Sequence, residues 1–227
     1  MSDEPGPLIA RGRAADVYDL GDGTVLRRYR TSGHDLDLEA RVMRYVAERG
    51  YPVPTVHSVD GTDLVMDRIG GVTMFEQLTA DPWKVLWYAR ILARLQRRLA
   101  RIEAPDWLLA EGVDTARPQS VLHLDMHPMN VIMSPTGPVV IDWTNAAAGP
   151  AGFDGALTYV EVATFDTDTF VERIGQRVFA ESFKSFRGSK VVNAYIGAAC
   201  DHRLADANTL PGERAAVAAM RRKRRRT

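Results

Sequence analysis

Five polar side chains in one short stretch carry the chemistry open to this sequence. His123-Leu-Asp125-Met-His127-Pro-Met-Asn130-Val-Ile-Met133 is followed by Pro138-Val-Val-Ile-Asp142-Trp143. Asp125 and Asn130 stand five positions apart, and Asp142 follows twelve positions later. Val131-Ile132-Met133 and Val139-Val140-Ile141 are apolar runs separated by Ser134-Pro-Thr-Gly137, which predicts a tight β-hairpin. Such a hairpin brings Asn130, at the start of one strand, alongside Asp142, at the end of the other. An amide oxygen and a carboxylate then converge, a donor set that suits Mg2+, a hard cation that takes oxygen ligands. Asp125 is left to accept a proton from an attacking hydroxyl. A rival reading takes His123, Asp125 and His127 as alternating ligands of a metal-dependent hydrolase. That reading leaves Asn130 and Asp142 without a role and finds no further His or Cys at a suggestive spacing.

These residues need elements to hold them. The first third of the chain reads as strands with one helix inserted. Leu8-Ile9-Ala10 leads into Val17 to Leu20, Gly21-Asp-Gly23 turns the chain, and Thr24 to Tyr29 follows as a strand. A helix is predicted from Asp35 to Arg49, closed by Gly50. Val53 to Val59 and Asp63 to Ile69 read as a second hairpin turning at Asp60-Gly61, and Pro52 and Pro54 mark its first strand as an edge. After Gly70-Gly71 the pattern turns helical. Val85, Tyr88, Leu92, Leu95, Leu99 and Ile102 lie on one face of a long amphipathic helix ended by Pro105. Pro138 to Trp143 reads as a buried strand, and the chain from Asp154 onward as mostly helical. The fold class expected is α+β and bilobal, with a small β-rich N-lobe at 1–70, a larger helical C-lobe at 71–220, and a basic, disordered tail at 221–227.

The pattern H-x-D-x-x-x-x-N with a later I-D-x resembles the aminoglycoside phosphotransferase family, whose fold is protein-kinase-like. The resemblance spans most of the chain. It implies Asp125 as catalytic base, Asn130 and Asp142 as metal ligands, and His123 and His127 as supports of the loop. It also implies Mg2+ with ATP or GTP as cofactors and a small hydroxylated acceptor, an aminoglycoside or another small molecule. Trp143-Thr144 replaces the Phe-Gly that follows this aspartate in protein kinases.

The same resemblance sets expectations for the N-lobe. A loop over the nucleotide should join the first two strands, and Ala10 to Tyr18 stands there with Gly12 as its one glycine. A strand cation should meet the phosphates. The four lysines are Lys84, Lys184, Lys190 and Lys223, so this lobe offers only Arg27 and Arg28 on the expected strand. The family pattern favours Arg27, and neighbouring strand residues point to opposite faces. Helical spacing alone puts Glu39 on the apolar stripe of Val42, Met43 and Val46. A carboxylate there needs a partner, and Arg27 is the expected one. A hinge should follow the last strand, with Met66 lining the base pocket and backbone near Asp67, Arg68 and Ile69 bonding the base. Backbone recognition carries no side-chain code, so ATP and GTP are equally expected. The missing lysine also allows an impaired, nucleotide-binding pseudokinase.

Composition sets outer bounds. The chain has 227 residues, 45% apolar and 26% charged, as in a globular protein. No apolar run spans a bilayer, the opening MSDEPGPL lacks signal-peptide character, and the single Cys200 leaves no intrachain disulfide. A cytoplasmic location is expected, with no membrane partner. Six of the 29 positive charges fall in the last seven residues, yet such a tail is more often solvated than bound to nucleic acid. Glu161, Asp166, Asp168 and Glu172 are candidates to attract a cationic acceptor, and Asp154 to cap a helix or anchor the loop. Oligomeric state leaves no mark in the sequence.

Overall fold

The computed structural model describes residues 5–12, 14–31, 33, 35–110, 119–207 and 209–224. The chain forms two compact units: residues 1–72 with 132–146, and residues 73–131 with 147–227.

The first unit is built on a five-stranded antiparallel sheet. Its strands are β1 (Leu8–Arg11), β2 (Ala15–Asp19), β3 (Thr24–Tyr29), β4 (Val56–Asp60) and β5 (Asp63–Asp67), in the order β1-β2-β3-β5-β4. Gly21 and Gly23 take positive φ in the β2–β3 turn, and Gly61 does so between β4 and β5, which is why glycine stands there. β4 is an edge strand, as the prolines before it predict. Helix α1 (Leu36–Glu48) starts where the Asp35 side chain accepts from the Leu38 N–H, a normal N-cap. It ends before Gly50, at φ 71°. Its buried residues include Glu39, Ala40, Val42, Met43 and Val46, the stripe that the sequence predicts.

Residues 132–146 belong to this unit although they follow some sixty residues of the other. β8 (Val131–Ser134) and β9 (Gly137–Val140) form the expected hairpin, in a three-stranded sheet with β6 (Val72–Thr73) in the order β6-β8-β9. The Val140 N–H donates to Pro52 O at 2.9 Å. Trp143 is fully buried, stands edge-on to Tyr51 at 5.6 Å, and donates through Nε1 to Val140 O. The strand expected from Pro138 to Trp143 stops at Val140, because Asp142 adopts φ 65° and leaves the extended conformation.

The second unit is mainly helical. Helix α2 (Met74–Ala80) opens with a capping box between Thr73 and Glu76. Helix α3 (Val85–Leu99) buries Tyr88, Leu92, Leu95 and Leu99 on the predicted face. β7 (Ser120–Leu122) pairs antiparallel with β10 (Ala147–Gly149). Four helices follow: α4 (Ala151–Thr164), α5 (Phe170–Arg187), α6 (Ser189–Ala205) and α7 (Pro211–Arg224). α4 is buried nearly all round, as a central helix should be. A Cβ at Gly152 would meet the Tyr195 ring at 2.5 Å, so glycine lets α4 and α6 approach. No helix among the described residues is long and apolar enough to cross a membrane.

The basic end differs from expectation. Arg221 to Arg224 continue α7 rather than forming a disordered tail. Arg221 grips Asp201 through two bonds at 2.7 Å and Arg224 donates to Asn193. These bonds tie the last turn to α6, which a run of like charges could not do alone. Arg225, Arg226 and Thr227 lie outside the described residues.

Candidate active site

In the second unit, the loop after β7 is held from behind. Asp154, in the first turn of α4, is 2% exposed and accepts from the backbone N–H groups of His123 at 3.2 Å and Leu124 at 2.9 Å. Leu124 has φ 63°, a left-handed conformation that is costly for leucine. The two bonds from Asp154 fix that strained peptide. Burial raises the Asp154 pKa against these stabilising contacts with the loop. His123 is fully buried, and its Nδ1 accepts weakly from the Asp125 N–H at 3.3 Å. The backbone therefore turns Asp125 outward, with its side chain 28% exposed.

Asn130 closes the loop. Its Nδ2 donates to Asp125 O at 2.9 Å and to Asp125 Oδ2 at 3.1 Å. His127 Nε2 lies 3.4 Å from Asp125 Oδ1, and its buried Nδ1 has no partner among the described residues. A second route secures the loop: Gln96 Nε2 donates to Thr158 Oγ1, and Thr158 Oγ1 donates to Met126 O, both at 2.9 Å. Gln96 and Thr158 carry no sequence signal beyond being polar residues at buried helix positions.

In the first unit, Arg27 gathers a cluster. It projects from β3 with its side chain 12% exposed. Nη1 lies 2.8 Å from Glu39 Oε1, and Nη2 lies 2.6 Å from Asp142 Oδ1. Burial disfavours the guanidinium charge, but Asp142 and Glu39 outweigh it and its pKa is raised. The Tyr29 hydroxyl donates to Glu39 Oε2 at 2.8 Å and meets Thr144 Oγ1 at 2.7 Å. Thr144 also donates to Asp142 Oδ1 at 2.9 Å. Burial, with the Glu39 charge, pushes the Tyr29 hydroxyl up in pKa although Arg27 opposes the shift. Arg28 turns to the other face and pairs with Asp63. Tyr29 and Thr144 were not read from the sequence. Tyr29 stands two residues from Arg27 on the same strand face, and that period could have found it.

The other expected nucleotide contacts are also in this unit. Gly12 turns the chain between β1 and β2, and its N–H donates to Ala15 O. Arg13, inside the expected loop, lies outside the described residues. Met66 is half-buried near the end of β5. The N–H of Asp67 is spent on Thr55 O and that of Arg68 on Gly23 O. The Asp67 carboxylate accepts from the Thr55 N–H and meets His57 at 2.8 Å.

A hydrolase centre on His123, Asp125 and His127 does not form. No group of three or more His, Cys, Asp or Glu side chains that could hold a metal exists among the described residues. Asn130 carries an amide oxygen and Asp142 a carboxylate, each an oxygen donor of the kind that a hard cation takes.

A β-sheet unit with a capped helix, joined to a helical unit whose anchored loop carries Asp and Asn five apart, defines a protein-kinase-like fold. The model of the phosphotransferase enzyme family matches residues 6–106 and 55–187, and the chain belongs to that family. Among solved structures it is similar to the gentamicin–APH(2")-IIa complex, with a TM-score of 0.65, 13% identity, and 93% of this chain and 90% of that chain covered. It is also similar to aminoglycoside phosphotransferase APH(4)-Ia, with a TM-score of 0.62, 16% identity and coverage of 96% and 90%. A streptomycin–ATP–APH(2")-IIa ternary complex matches with a TM-score of 0.59, 13% identity and coverage of 87% and 83%. At these identities the likeness establishes the fold. No curated protein matches the chain in sequence.

Proposed function

We propose that this phosphotransferase is a small-molecule kinase that moves the γ-phosphoryl group of ATP or GTP to a hydroxyl of a small acceptor. The observation that carries the reading is the Asp125–Asn130 pair, bonded at 3.1 Å on a loop that Asp154 fixes from behind. Asp125 is the base. It takes the acceptor's hydroxyl proton while the acceptor oxygen bonds to Pγ and the bond from Pγ to the β-bridging oxygen breaks. ADP or GDP leaves. Asn130 and Asp142 are the residues that would hold Mg2+, which when bound neutralises phosphate charge.

Residues 1–70 form the nucleotide-binding lobe in this proposal. Arg27 binds the α/β-phosphates in place of a lysine, and its guanidinium fork suits phosphate oxygens. Glu39 orients it. Gly12 lies in the covering loop, and Met66, Asp67 and Arg68 flank the base. With the Asp67 and Arg68 N–H groups already spent, the base is left to carbonyls there and to neighbouring backbone. Solved neighbours carry ATP or ADP in their complexes, which supports a nucleotide here. Residues 71–220 carry catalysis and the acceptor in this reading.

For the acceptor, the carboxylates around α4 favour a hydroxylated amine. Glu161 has its pKa raised well above the usual range by burial first, and then by Asp125, Asp154 and Glu213, against Arg203. An incoming ammonium would relieve that crowding of negative charge. Of the other candidates, Glu172 is spent on capping α5, through bonds to the Asp168 and Thr169 N–H groups.

The test is ADP or GDP release with Mg2+ and a panel of hydroxylated amines and sugars. One acceptor class should stimulate release. Asp125→Asn should lower kcat about 10²- to 10⁴-fold and leave nucleotide affinity unchanged. A second reading, a nucleotide-binding module without turnover, draws on Arg27 standing in lysine's place and already bound to Asp142. It replaces the first if nucleotide binds and no acceptor is phosphorylated. Stoichiometric zinc binding without nucleotide would remove both.

A further inference from the structure

Helix α3 has a second face that the fold leaves uncovered. Opposite its buried stripe, Trp83, Trp87, Arg90, Arg94, Arg97 and Arg101 follow one another at intervals of four and three. That spacing sets Trp87, Arg90, Arg94 and Arg97 in one line along the helix, with Trp83 in the 3-10 turn before it and Arg101 just past its end. Trp83 is 73% exposed and Trp87 is 52% exposed, with Leu86 beside them at 54%. α3 itself holds no carboxylate. Arg90, Arg94, Arg97 and Arg101 are exposed and make no ion pair among the described residues.

Helix α5 packs along α3 and adds to this surface. Burial first, with Arg97 adding to it against Asp154, lowers the Arg187 pKa, which sets the carboxyl-terminal ends of the two packed helices near each other. Their amino-terminal ends share the opposite side. There α5 exposes Phe170 at 73%, with Val171 and Ile174 also exposed. Of the carboxylates at that end, Asp81 pairs with Lys84 and Glu172 caps α5, while Asp166 and Asp168 stand exposed just before α5. The surface is thus an apolar end with two tryptophans, continuing into a line of unpaired guanidinium groups.

Exposed apolar patches of this kind mark an interaction site, and the charge says with what. We propose that this face docks on an anionic lipid bilayer. Trp83, Leu86, Trp87 and the Phe170 end enter the headgroup region, and the arginines lie against lipid phosphates. Tryptophan suits this place, since its ring is apolar and its N–H stays wet. The tryptophans are grouped at one end rather than interleaved with the arginines, which fits insertion better than base stacking on a nucleic acid. The absence of a spanning helix does not bear on surface docking.

The full chain should sediment with vesicles of phosphatidylcholine and about 30% phosphatidylglycerol, and not with phosphatidylcholine alone. Binding should weaken as salt rises. Tryptophan fluorescence should shift to the blue on binding, and Trp83→Ala with Trp87→Ala should abolish the shift. Arg90→Gln with Arg94→Gln, both exposed, should lower the partition coefficient roughly 10- to 30-fold with the helical circular dichroism unchanged. No sedimentation at low salt overturns the proposal. So does equal binding by the arginine pair variant, capture of duplex DNA in preference to vesicles, or a dimer in solution that the tryptophan substitutions disperse.

Discussion

Arg27 serves two carboxylates at once, and this decides what its replacement costs. Glu39 has a side chain only 2% exposed, and Arg27 is its cationic partner. Arg27→Met should destabilise the protein by about 3–5 kcal/mol, because a buried carboxylate is left uncompensated. Adding Glu39→Gln should return part of that loss, and urea denaturation of the four members of the cycle measures the coupling. Strictly additive losses would show that the pair does not act as a pair. Arg27→Lys keeps the charge but not the fork, so one of the two contacts fails, at roughly 1–3 kcal/mol. Part of this was legible beforehand. A glutamate on the apolar stripe of α1 announces its own burial, and its position names a partner of opposite charge. Asp142 as the second partner was not legible, since that contact joins residues 115 positions apart.

At the scale of elements, hairpin β8–β9 shows what a pattern reveals and where it stops. Two apolar runs around Ser134-Pro-Thr-Gly137 gave the hairpin, and Gly137 takes φ 126° within it. The strand's end was misread, because Pro138 to Trp143 stays apolar past Val140 while the backbone already turns at Asp142. Apolar character reports burial, and Trp143 is buried without being in a strand. Gly71 gives the element-scale prediction. It has φ 132°, and a Cβ there would lie 2.4 Å from Met133 O. Gly71→Ala should cost roughly 2–4 kcal/mol by combining backbone strain with a clash against main chain. Thermal unfolding reads the loss, and an unchanged Tm would mean that the segment moves aside freely. The arginines of α7 carry the converse lesson. A run of like charges looks disordered until Asp201 and Asn193 on a neighbouring helix supply its partners.

At the scale of the whole molecule, stability should depend on pH through Glu161. Burial, with Asp125 next, raises its folded pKa, so the folded state holds this proton more tightly than the unfolded chain. Its contribution is fully present below the unfolded value, near 4.5, and is lost as pH rises through the folded pKa. Across that window the wild type should lose up to about 1.4 kcal/mol per pH unit from this group. Glu161→Gln lacks the proton and should lose none of it. Urea denaturation of both proteins from pH 5 to pH 8 gives the comparison, with the variant gaining on the wild type as pH rises. Parallel curves would mean that Glu161 ionises alike folded and unfolded.

The sequence by itself determined most of the elements, the buried stripes of α1 and α3, and the placing of Asp125 and Asn130 on one short loop. These are local: strand and helix periods fix which side chains share a face, and five residues of one loop cannot separate far. Only the tertiary structure decided that residues 132–146 join the first unit, that Asp154 restrains Leu124 from thirty positions away, and that Asp142 joins Glu39 as a second partner of Arg27. The reason is physical. Periodicity says that a charge is buried, but its partner is chosen by chain closure over long distances, and no local pattern records that choice.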